Sequence, residues 1–415
     1  MKSKTLKLAL ILLIPGITLA QGNGTTGSPY SLFGLGIESN ASIGKNSSLG
    51  GGGYALSGNN FINNLNPASY ANFGTNTFLY DVGVSAEISN IANRSADERR
   101  FAGSISNLAL AGSITPKSGF GIAIIPFTDV GYSLLGVESN IEGATDTFVS
   151  NIFGSGSLND LKLVYGHRIL KNISIGGSLS YLFGSIEERE QINTGSSGLT
   201  VLEDNRYTGT RLGFGVQYDF YNKLTFGFAI NFPTFLSGKQ DRTVQRTLEN
   251  TLPGLVDNEK DIPLSNFKLP IELNQGIFFK AKENLSLNID YGIKLWGSTN
   301  QTDNIGKYID QYIFAAGAEY YIDDRGIKPW HRLRFRAGFN YDTGYLEIRD
   351  TNIESYQFTA GIGIPIGPGR GSNINISFAR GNRGSIGGLL VEESFNTINI
   401  NFSLKDIWFV KRKIN

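Results

Sequence analysis

The chain has 415 residues, of which 52 are glycine, two are histidine and none is cysteine, and its formal net charge is +1. The absence of cysteine excludes disulfides, thiolate metal sites and cysteine nucleophiles, and two histidines leave little material for zinc sites or histidine acid–base chemistry. The near-zero charge gives no sign of a nucleic-acid partner. With 12% aromatic residues the chain is not disordered, and the composition favours one large β-rich architecture without a cofactor.

The first twenty residues have the pattern of a secretory signal peptide. Three lysines precede a short apolar run, Leu8–Ile14, and residues 18–20 form a small-residue cleavage site. The run is too short to span a bilayer, which takes about 20 apolar residues in a helix. We therefore expect cleavage of residues 1–20 before Gln21, and no cysteine follows that could carry a lipid anchor. A chain of this kind that stays in a membrane does so as a closed β-barrel.

Residues 21–74 do not alternate in hydrophobicity and are dense in Gly, Ser and Asn. One reading is a flexible periplasmic tail; the other is a hatch or plug segment folded into the barrel. Apolar side chains such as Tyr30, Phe33 and Leu35 favour the hatch, because a tail gains nothing by exposing them to water. The candidate hatch motif is a glycine run followed by an Asn-Pro-Ala triplet: Gly50, Gly51, Gly52, Gly53, Asn66, Pro67 and Ala68.

From about residue 75 onward, apolar and polar residues alternate with a period of two. Leu224, Phe226 and Phe228, for example, alternate with Thr225 and Gly227. The second face is small and polar, which suits a lumen, while the large apolar face suits lipid. The pattern predicts an all-β fold, a transmembrane antiparallel β-barrel over residues 75–410. Its turn signals divide it into about 14 strands at 75–88, 100–114, 118–137, 158–169, 172–187, 205–219, 223–235, 265–281, 285–299, 305–322, 331–347, 352–367, 371–387 and 393–409.

The connections over the first nine strands alternate between short turns and long links. The long links are predicted at 89–99, 138–157, 188–204 and 236–264. Outer-membrane barrels have short periplasmic turns and long extracellular loops, so both barrel termini are expected in the periplasm, with a basic tail at 411–415. Aromatic residues near strand ends, including Trp296, Trp408 and Phe409, are predicted to form girdles at the lipid interface.

Pro126 lies inside the predicted third strand. A proline there removes a hydrogen bond from the sheet and forces a bulge or a gap, unless the strand ends a few residues earlier. Charges of both signs fall on the lumen face and are expected to pair with each other or with the hatch, since unpaired charges in a plugged interior are costly. These charges are Lys162, Asp219, Asp290, Lys294, Glu319, Arg334, Arg336 and Asp342.

Catalytic and metal chemistry find little support in the sequence. His167 and His331 have no serine or acid beside them in the chain at catalytic spacing, which predicts a protein that is not an enzyme. Asp323, Asp324 and Asp342 lack the spacing of a calcium loop and are read as solvated turn residues.

The run Leu49–Ala55, followed by Phe61–Ala68, resembles the N-terminal hatch of the FadL-like outer-membrane transport family. The opening SPYSLFGLG at residues 28–36 and the ending at 406–413 are similar to those of barrel proteins from Bacteroidota. The resemblance implies a fourteen-stranded barrel with an internal hatch. It also implies a kink in the third strand, here at residues 124–131, which opens a side window for hydrophobic solutes.

Two functions follow from the resemblance. The preferred one is an accessory or plug subunit of the type 9 protein-secretion machinery, with a large translocon barrel as partner. The alternative is a channel for passive uptake of hydrophobic small molecules across the outer membrane. Outer-membrane lipid surrounds the barrel in both.

Overall fold

A computed structural model describes residues 26–94, 96–140, 147–194, 197–221, 223–248, 252–303, 306–324, 326, 328–367, 371–387 and 390–407. The predicted signal peptide, the basic tail, Trp408 and Phe409 lie outside these residues. The described strands are β1 Ile37–Glu38, β2 Thr77–Ala92, β3 Asp97–Thr115, β4 Ser118–Asn140, β5 Thr147–Leu170, β6 Ile173–Thr194, β7 Ser197–Phe220, β8 Leu224–Asn231, β9 Thr234–Thr247, β10 Gly254–Leu269, β11 Glu272–Lys282, β12 Leu285–Lys294, β13 Gly306–Tyr308, β14 Gln311–Tyr321, β15 Arg334–Asp342, β16 Leu346–Ile348, β17 Thr351–Asn352, β18 Ser355–Ile366, β19 Ser372–Gly387 and β20 Leu390–Ile407.

The long strands form a closed antiparallel ring in which sequence neighbours pair. Two positions of the ring are each filled by an interrupted strand, β8 with β9 and β10 with β11. The last strand, β20, pairs with β2 along its whole length, from Thr77 opposite Ile407 to Ala92 opposite Glu392. The described residues therefore make a barrel of fourteen strand positions, and the predicted fold class is confirmed. The short strands β13, β16 and β17 form a separate small sheet.

The two faces of each strand follow the predicted alternation. On β8, Phe226 and Phe228 are each 42% exposed on the outside of the barrel, whereas Ala229 is buried. On β15, Phe335 is exposed while Arg336 is buried. Large apolar side chains on the outer face and small or polar ones within are what a membrane barrel requires. Among the described residues, no helix is long and apolar enough to cross a membrane.

The prediction that the long links are loops is wrong, because most of their residues belong to the strands on either side. Strands β4 to β7, β9 and β10 extend into 138–157, 188–204 and 236–264, and the described residues there pair antiparallel. Polar residues predominate in these segments, so the alternation of apolar and polar residues stops while the strands continue to pair. We call this side of the barrel the hairpin end. The opposite side, where Thr77 and Ile407 lie and short turns join the strands, is the turn end.

Trp296 corrects one further expectation. It is 3% exposed and lies inside the barrel, stacked on Tyr345 with a ring-centroid distance of 4.9 Å, rather than at the lipid interface. Large apolar residues occur both in a lumen cluster and on a lipid-facing surface, so the alternation could not show which of the two Trp296 belongs to.

The N-terminal segment, residues 26–76, runs through the lumen. It contains β1 and three short 3-10 helices, Pro29–Leu32, Gly44–Ser48 and Pro67–Asn72. Two further 3-10 helices, Trp296–Thr299 and Pro329–Arg332, lie between barrel strands. The segment contacts strands on all sides of the ring, and most of its residues are buried.

Candidate functional site

The glycine run of the predicted hatch motif is seated on β12, β15 and β18. The backbone nitrogens of Gly53 and Tyr54 each donate to a different carboxylate oxygen of Asp290, at 2.8 Å. Gly50 donates to Thr359 Oγ1 at 3.0 Å, and its carbonyl accepts from the side chain of Asn340. The run has positive φ at Gly50, Gly51 and Gly53, a backbone conformation that glycine adopts without strain. The barrel wall thus binds the backbone of the segment directly.

The Asn-Pro-Ala triplet anchors the segment to the opposite side of the wall. Asn66 is fully buried and caps the 3-10 helix that starts at Pro67, its side-chain oxygen accepting from the nitrogen of Ala68. Its amide nitrogen donates to the carbonyl oxygens of Tyr54 at 2.8 Å and of Val216 on β7 at 3.2 Å. One side chain therefore joins two parts of the segment to the barrel.

Glycines of the wall permit this close approach. Gly176 lies opposite Gly166 on β5 and opposite Gly215 on β7. A β-carbon at any of these three would come closer than 3.0 Å to an atom of the N-terminal segment. The same holds for further wall glycines. We give the name glycine belt to eight of them, including these three: Gly121, Gly166, Gly176, Gly215, Gly227, Gly317, Gly338 and Gly361. Only residues without a side chain let two backbones pack at this distance.

A hydrophobic cluster lies in the lumen toward the hairpin end. Tyr30, Phe33 and Leu35 of the N-terminal segment pack there with wall residues and with residues between the strands, among them Trp296 and Tyr308. The cluster is further linked by hydrogen bonds, since Tyr345 Oη donates to the carbonyl oxygen of Gly36 at 3.0 Å. We call the buried residues of this set the cap cluster: Tyr30, Phe33, Leu35, Val130, Tyr132, Leu158, Leu182, Ile186, Leu236, Leu269, Trp296, Tyr308, Leu346, Ile348, Ile353 and Leu390.

A chamber of about 470 Å3 lies in the lumen of the described chain. Its lining includes Gly51 and Gly52 of the glycine run and, from the cap cluster, Tyr30 and Leu346. The N-terminal segment therefore supplies part of the chamber wall on two sides.

The barrel wall has a gap beside this chamber, between β3 and β4. The two strands pair from Thr115 opposite Ser118 up to Leu108 opposite Ile124, and no pair follows in the described residues, although both strands continue. Pro126 stands at the start of the gap, inside β4 and not at a strand end, and a bulge follows it in the pairing with β5. Proline offers no N–H to a neighbouring strand, which accounts for the loss of pairing at this point.

The N-terminal segment occupies the far part of the gap. Strand β1 pairs with β4, Ile37 opposite Asp129. Arg100 of β3 donates to the carbonyl oxygen of Gly27 at 3.1 Å and to that of Ser133 on β4 at 3.4 Å, and so spans the gap. The near part lies against the chamber, whose lining there includes Ser104 and Pro126. Chamber and gap are therefore contiguous.

A second break in the wall is filled by a side chain. Strands β8 and β9 are separated at Phe232 and Pro233, and the neighbouring strands β10 and β11 at Pro270 and Ile271. Arg211 of β7 is buried in this break, donating to the carbonyl oxygens of Phe232 at 3.0 Å and Pro270 at 2.7 Å. Its remaining guanidinium nitrogen donates to Glu272 at 2.9 Å. Arg211 thus satisfies carbonyl groups that the broken ladder leaves without strand partners.

Five of the eight predicted lumen charges lie in three ion-paired sets, and the other three, Asp219, Asp290 and Asp342, accept hydrogen bonds. Glu319 forms salt bridges with Arg336 at 2.6 Å and with Arg334 at 3.5 Å. Lys294 binds Glu38 of the N-terminal segment and lies 3.9 Å from Glu272.

The other predicted charges have smaller partner sets. Lys162 lies 3.5 Å from Asp160, and Asp342 accepts from Gln311. Asp219 accepts a hydrogen bond from Thr225 at 2.7 Å, and Asp290 accepts from the backbone of Gly53 and Tyr54 in the N-terminal segment.

Lys45 of the N-terminal segment adds a cation near Glu319. Burial lowers the pKa of Lys45 to about 8, and the Glu319 carboxylate opposes this shift. The ammonium lies 4.0 Å from the ring centre of Phe61, a cation–π contact within the segment. Burial likewise raises the pKa of Tyr30 to about 12, so this tyrosine is a neutral hydrogen-bond donor at physiological pH.

His167 has a serine neighbour that the sequence does not reveal. Ser118 lies opposite it across the β4–β5 pair, with Ser118 Oγ 2.8 Å from His167 Nδ1. Thr115 Oγ1 donates to the same serine oxygen at 3.0 Å. Thr115 and Ser118 flank the tight turn between β3 and β4, and with His167 of β5 they form a local hydrogen-bond chain at the turn end. The described residues contain no group of three potential metal ligands.

Several site residues escaped sequence reasoning. Glu38, Arg211 and Glu272 belong to lumen clusters, but none is near its partners in the chain. In the sequence, Arg211 is marked only by its place one residue before an alternating stretch. That place does not predict that its side chain donates to carbonyl groups distant in the chain. The sequence shows the residues of the glycine belt only as an excess of glycine. Which of these glycines lie side by side depends on the register between neighbouring strands.

A family model described as BamG matches residues 2–415 of the chain. Among solved structures, the toluene transporter TbuX from Ralstonia pickettii is 19% identical with a TM-score of 0.58, covering 88% of this chain and 97% of that one. The toluene transporter TodX from P. putida is 15% identical with a TM-score of 0.63, covering 90% and 100%. A FadL homologue from Pseudomonas aeruginosa is 12% identical with a TM-score of 0.63 and the same coverage. At these identities the likeness is one of fold. No curated protein matches the chain.

Proposed function

The chain belongs to the BamG family. From its FadL-like barrel fold, which it shares with solved toluene transporters, we propose that it is a non-enzymatic outer-membrane channel. It takes up hydrophobic or amphipathic small molecules passively. The observation that carries the proposal is the contiguity of the internal chamber with the β3–β4 gap beside Pro126. A solute held in the chamber reaches the hydrocarbon layer through the gap without crossing the plugged lumen.

The barrel is oriented in the outer membrane by its two ends. The short turns and the barrel termini at Thr77 and Ile407 face the periplasm, and the hairpin end faces outward, as in other bacterial barrels. The N-terminal segment is the plug that closes the lumen, and residues 1–20 are a signal peptide removed on export. Solute enters by the hairpin end and leaves sideways.

Uptake of N-phenyl-1-naphthylamine tests the channel. This probe fluoresces on reaching a phospholipid environment, so its rate of entry into an intact Gram-negative host reports passage through the outer membrane. Ser104 lines the chamber on β3, and Ile105 is its neighbour on the lipid face, 66% exposed. We expect Ser104→Trp to abolish the protein-dependent entry and Ile105→Trp to preserve it. Equal entry with both variants, or entry no faster than without the protein, contradicts the proposal.

The second candidate is an accessory barrel of the type 9 secretion machinery, docked on a large translocon. The close seating of the N-terminal segment on the glycine belt favours a barrel that stays closed. The structures compared with this chain are named as transporters, which places this candidate second. Affinity purification from native membranes decides it, since recovery of the chain alone argues against a docked subunit.

A further inference from the structure

We propose that the chamber binds small amphipathic molecules whose polar head is a protonated amine. The inference deepens the proposed function and rests on it for the route by which the ligand arrives. It concerns the ligand that the chamber selects, which the fold of a barrel does not specify.

The chamber carries surplus negative charge. Among the described residues, its lining has seven carboxylates and four cations. Each cation already has a carboxylate: Lys162 pairs with Asp160, Arg211 with Glu272, Lys294 with Glu38, and Arg383 with Glu393. Within the described chain, no salt bridge reaches the other four lining carboxylates, Glu87, Asp129, Asp290 and Asp342. A further positive charge is therefore favoured in this space.

Three residues of the chamber lining also carry a buried oxygen atom that has no hydrogen-bond partner in the described chain. These atoms are Asp160 Oδ1, Asp129 Oδ1 and Gln311 Oε1. Asp160 is 5% exposed and Gln311 is 3% exposed. Buried acceptors without donors are unfavourable. A ligand head with several N–H groups satisfies such acceptors, whereas a carboxylate or sulfate head adds more acceptors.

The side of the chamber next to the gap carries apolar residues beside small polar ones such as Ser104. Ile125, Pro126 and Phe127 line it on β4, and Ala102 lines it on β3. Asp160 lies opposite Ile125 on the neighbouring strand. A ligand can therefore place its head at the carboxylates and its apolar part toward the gap. A chamber of about 470 Å3 is also far larger than a bare ion needs, which favours an organic amine over a metal cation.

Isothermal titration of the full chain in lipid nanodiscs tests the inference, with empty nanodiscs subtracted. The probes are benzylammonium, benzyl alcohol and benzoate, which share a ring and differ in the head. We expect benzylammonium to bind at least about tenfold more tightly than the other two, as expected for one charge-assisted hydrogen bond. Benzyl alcohol or benzoate binding as tightly overturns the inference.

Variants locate the binding. Asp160→Asn and Asp129→Asn should each weaken benzylammonium binding about five- to tenfold. The matched control is Asp97→Asn at the exposed start of β3, which should leave it unchanged. The folded state of each variant is checked by its heat-dependent mobility in gel electrophoresis. If Asp160→Asn does not fold, the half-buried Asp129 provides the second variant, and the ranking of the three probes needs no variant. Unchanged binding in the folded variants overturns the inference.

The outcome separates the two proposals. Amine selectivity without Ser104-dependent dye uptake supports the chamber and contradicts the channel. Ser104-dependent uptake without amine selectivity supports the channel and overturns the chamber.

Discussion

The carboxylate of Asp290 on β12 lies 2.8 Å from the backbone nitrogen of Gly53 in the N-terminal segment, 237 residues away in sequence. The other oxygen accepts from Tyr54, and the side chain of Asn288 donates to the first. Asp290 therefore fastens the lumen segment to the wall without using a cation, because a carboxylate can accept from several N–H groups at once.

Asp290→Asn tests this attachment. The amide offers one acceptor oxygen where the carboxylate has two, so one of the two N–H groups loses its partner. We expect a loss of about 1–3 kcal/mol in the stability of the seated segment. Limited proteolysis should cleave residues 26–76 faster in the folded variant. Asp97→Asn provides the control on an exposed strand end, and equal cleavage in the two variants would remove Asp290 from this role.

The glycine belt predicts different outcomes for two adjacent glycines. At Gly176 a β-carbon would press on the backbone of Pro67, whereas at Gly177 the nearest atom is Gly213 O at 3.9 Å. Gly176→Ala should displace the segment, destabilise the folded protein by about 1–3 kcal/mol and raise single-channel conductance in planar bilayers. Gly177→Ala should leave conductance and unfolding unchanged. If both variants conduct like the parent, the segment is free to adjust and the belt does not hold it.

Arg211 carries the third prediction. Arg211→Met leaves the carbonyl oxygens of Phe232 and Pro270 without their donor and removes the nearest cation from buried Glu272. Breaking a buried pair in this way typically destabilises a protein by about 3–5 kcal/mol. Guanidinium unfolding in micelles, followed by tryptophan fluorescence, measures the change. Arg206→Met removes a half-exposed pair with Asp241 and should shift the free energy of unfolding by less than about 1 kcal/mol. A similar small shift for Arg211 would show that the wall break needs no filling.

The barrel and its strand number were accessible from the sequence because lipid imposes a period of two on every spanning strand. The strand pairing within 138–157 and 236–264 was not, because polar residues predominate there and leave no sustained alternation of apolar and polar residues. Trp296 was assigned to the wrong face because apolar residues serve both lipid and the cap cluster. The partners of Asp290 and Arg211 depend on register around the ring, which no local pattern contains.

Pro126 provides the prediction that most directly concerns transport. Pro126→Val supplies an N–H group and a β-branched side chain, both of which favour continued pairing of β4 with β3 beyond Leu108 and Ile124. We expect the gap to narrow and the entry of N-phenyl-1-naphthylamine to fall at least severalfold, with unfolding unchanged or slightly harder. Pro365→Val is the matched control, because Pro365 lies within a paired stretch of β18, opposite Asn373, away from the gap. Slower entry with Pro365→Val, or parental entry with Pro126→Val, would show that the proline does not hold the gap open. Hydrogen exchange of the amides in 125–131 reads the same change independently, since newly paired N–H groups should exchange more slowly than in the parent.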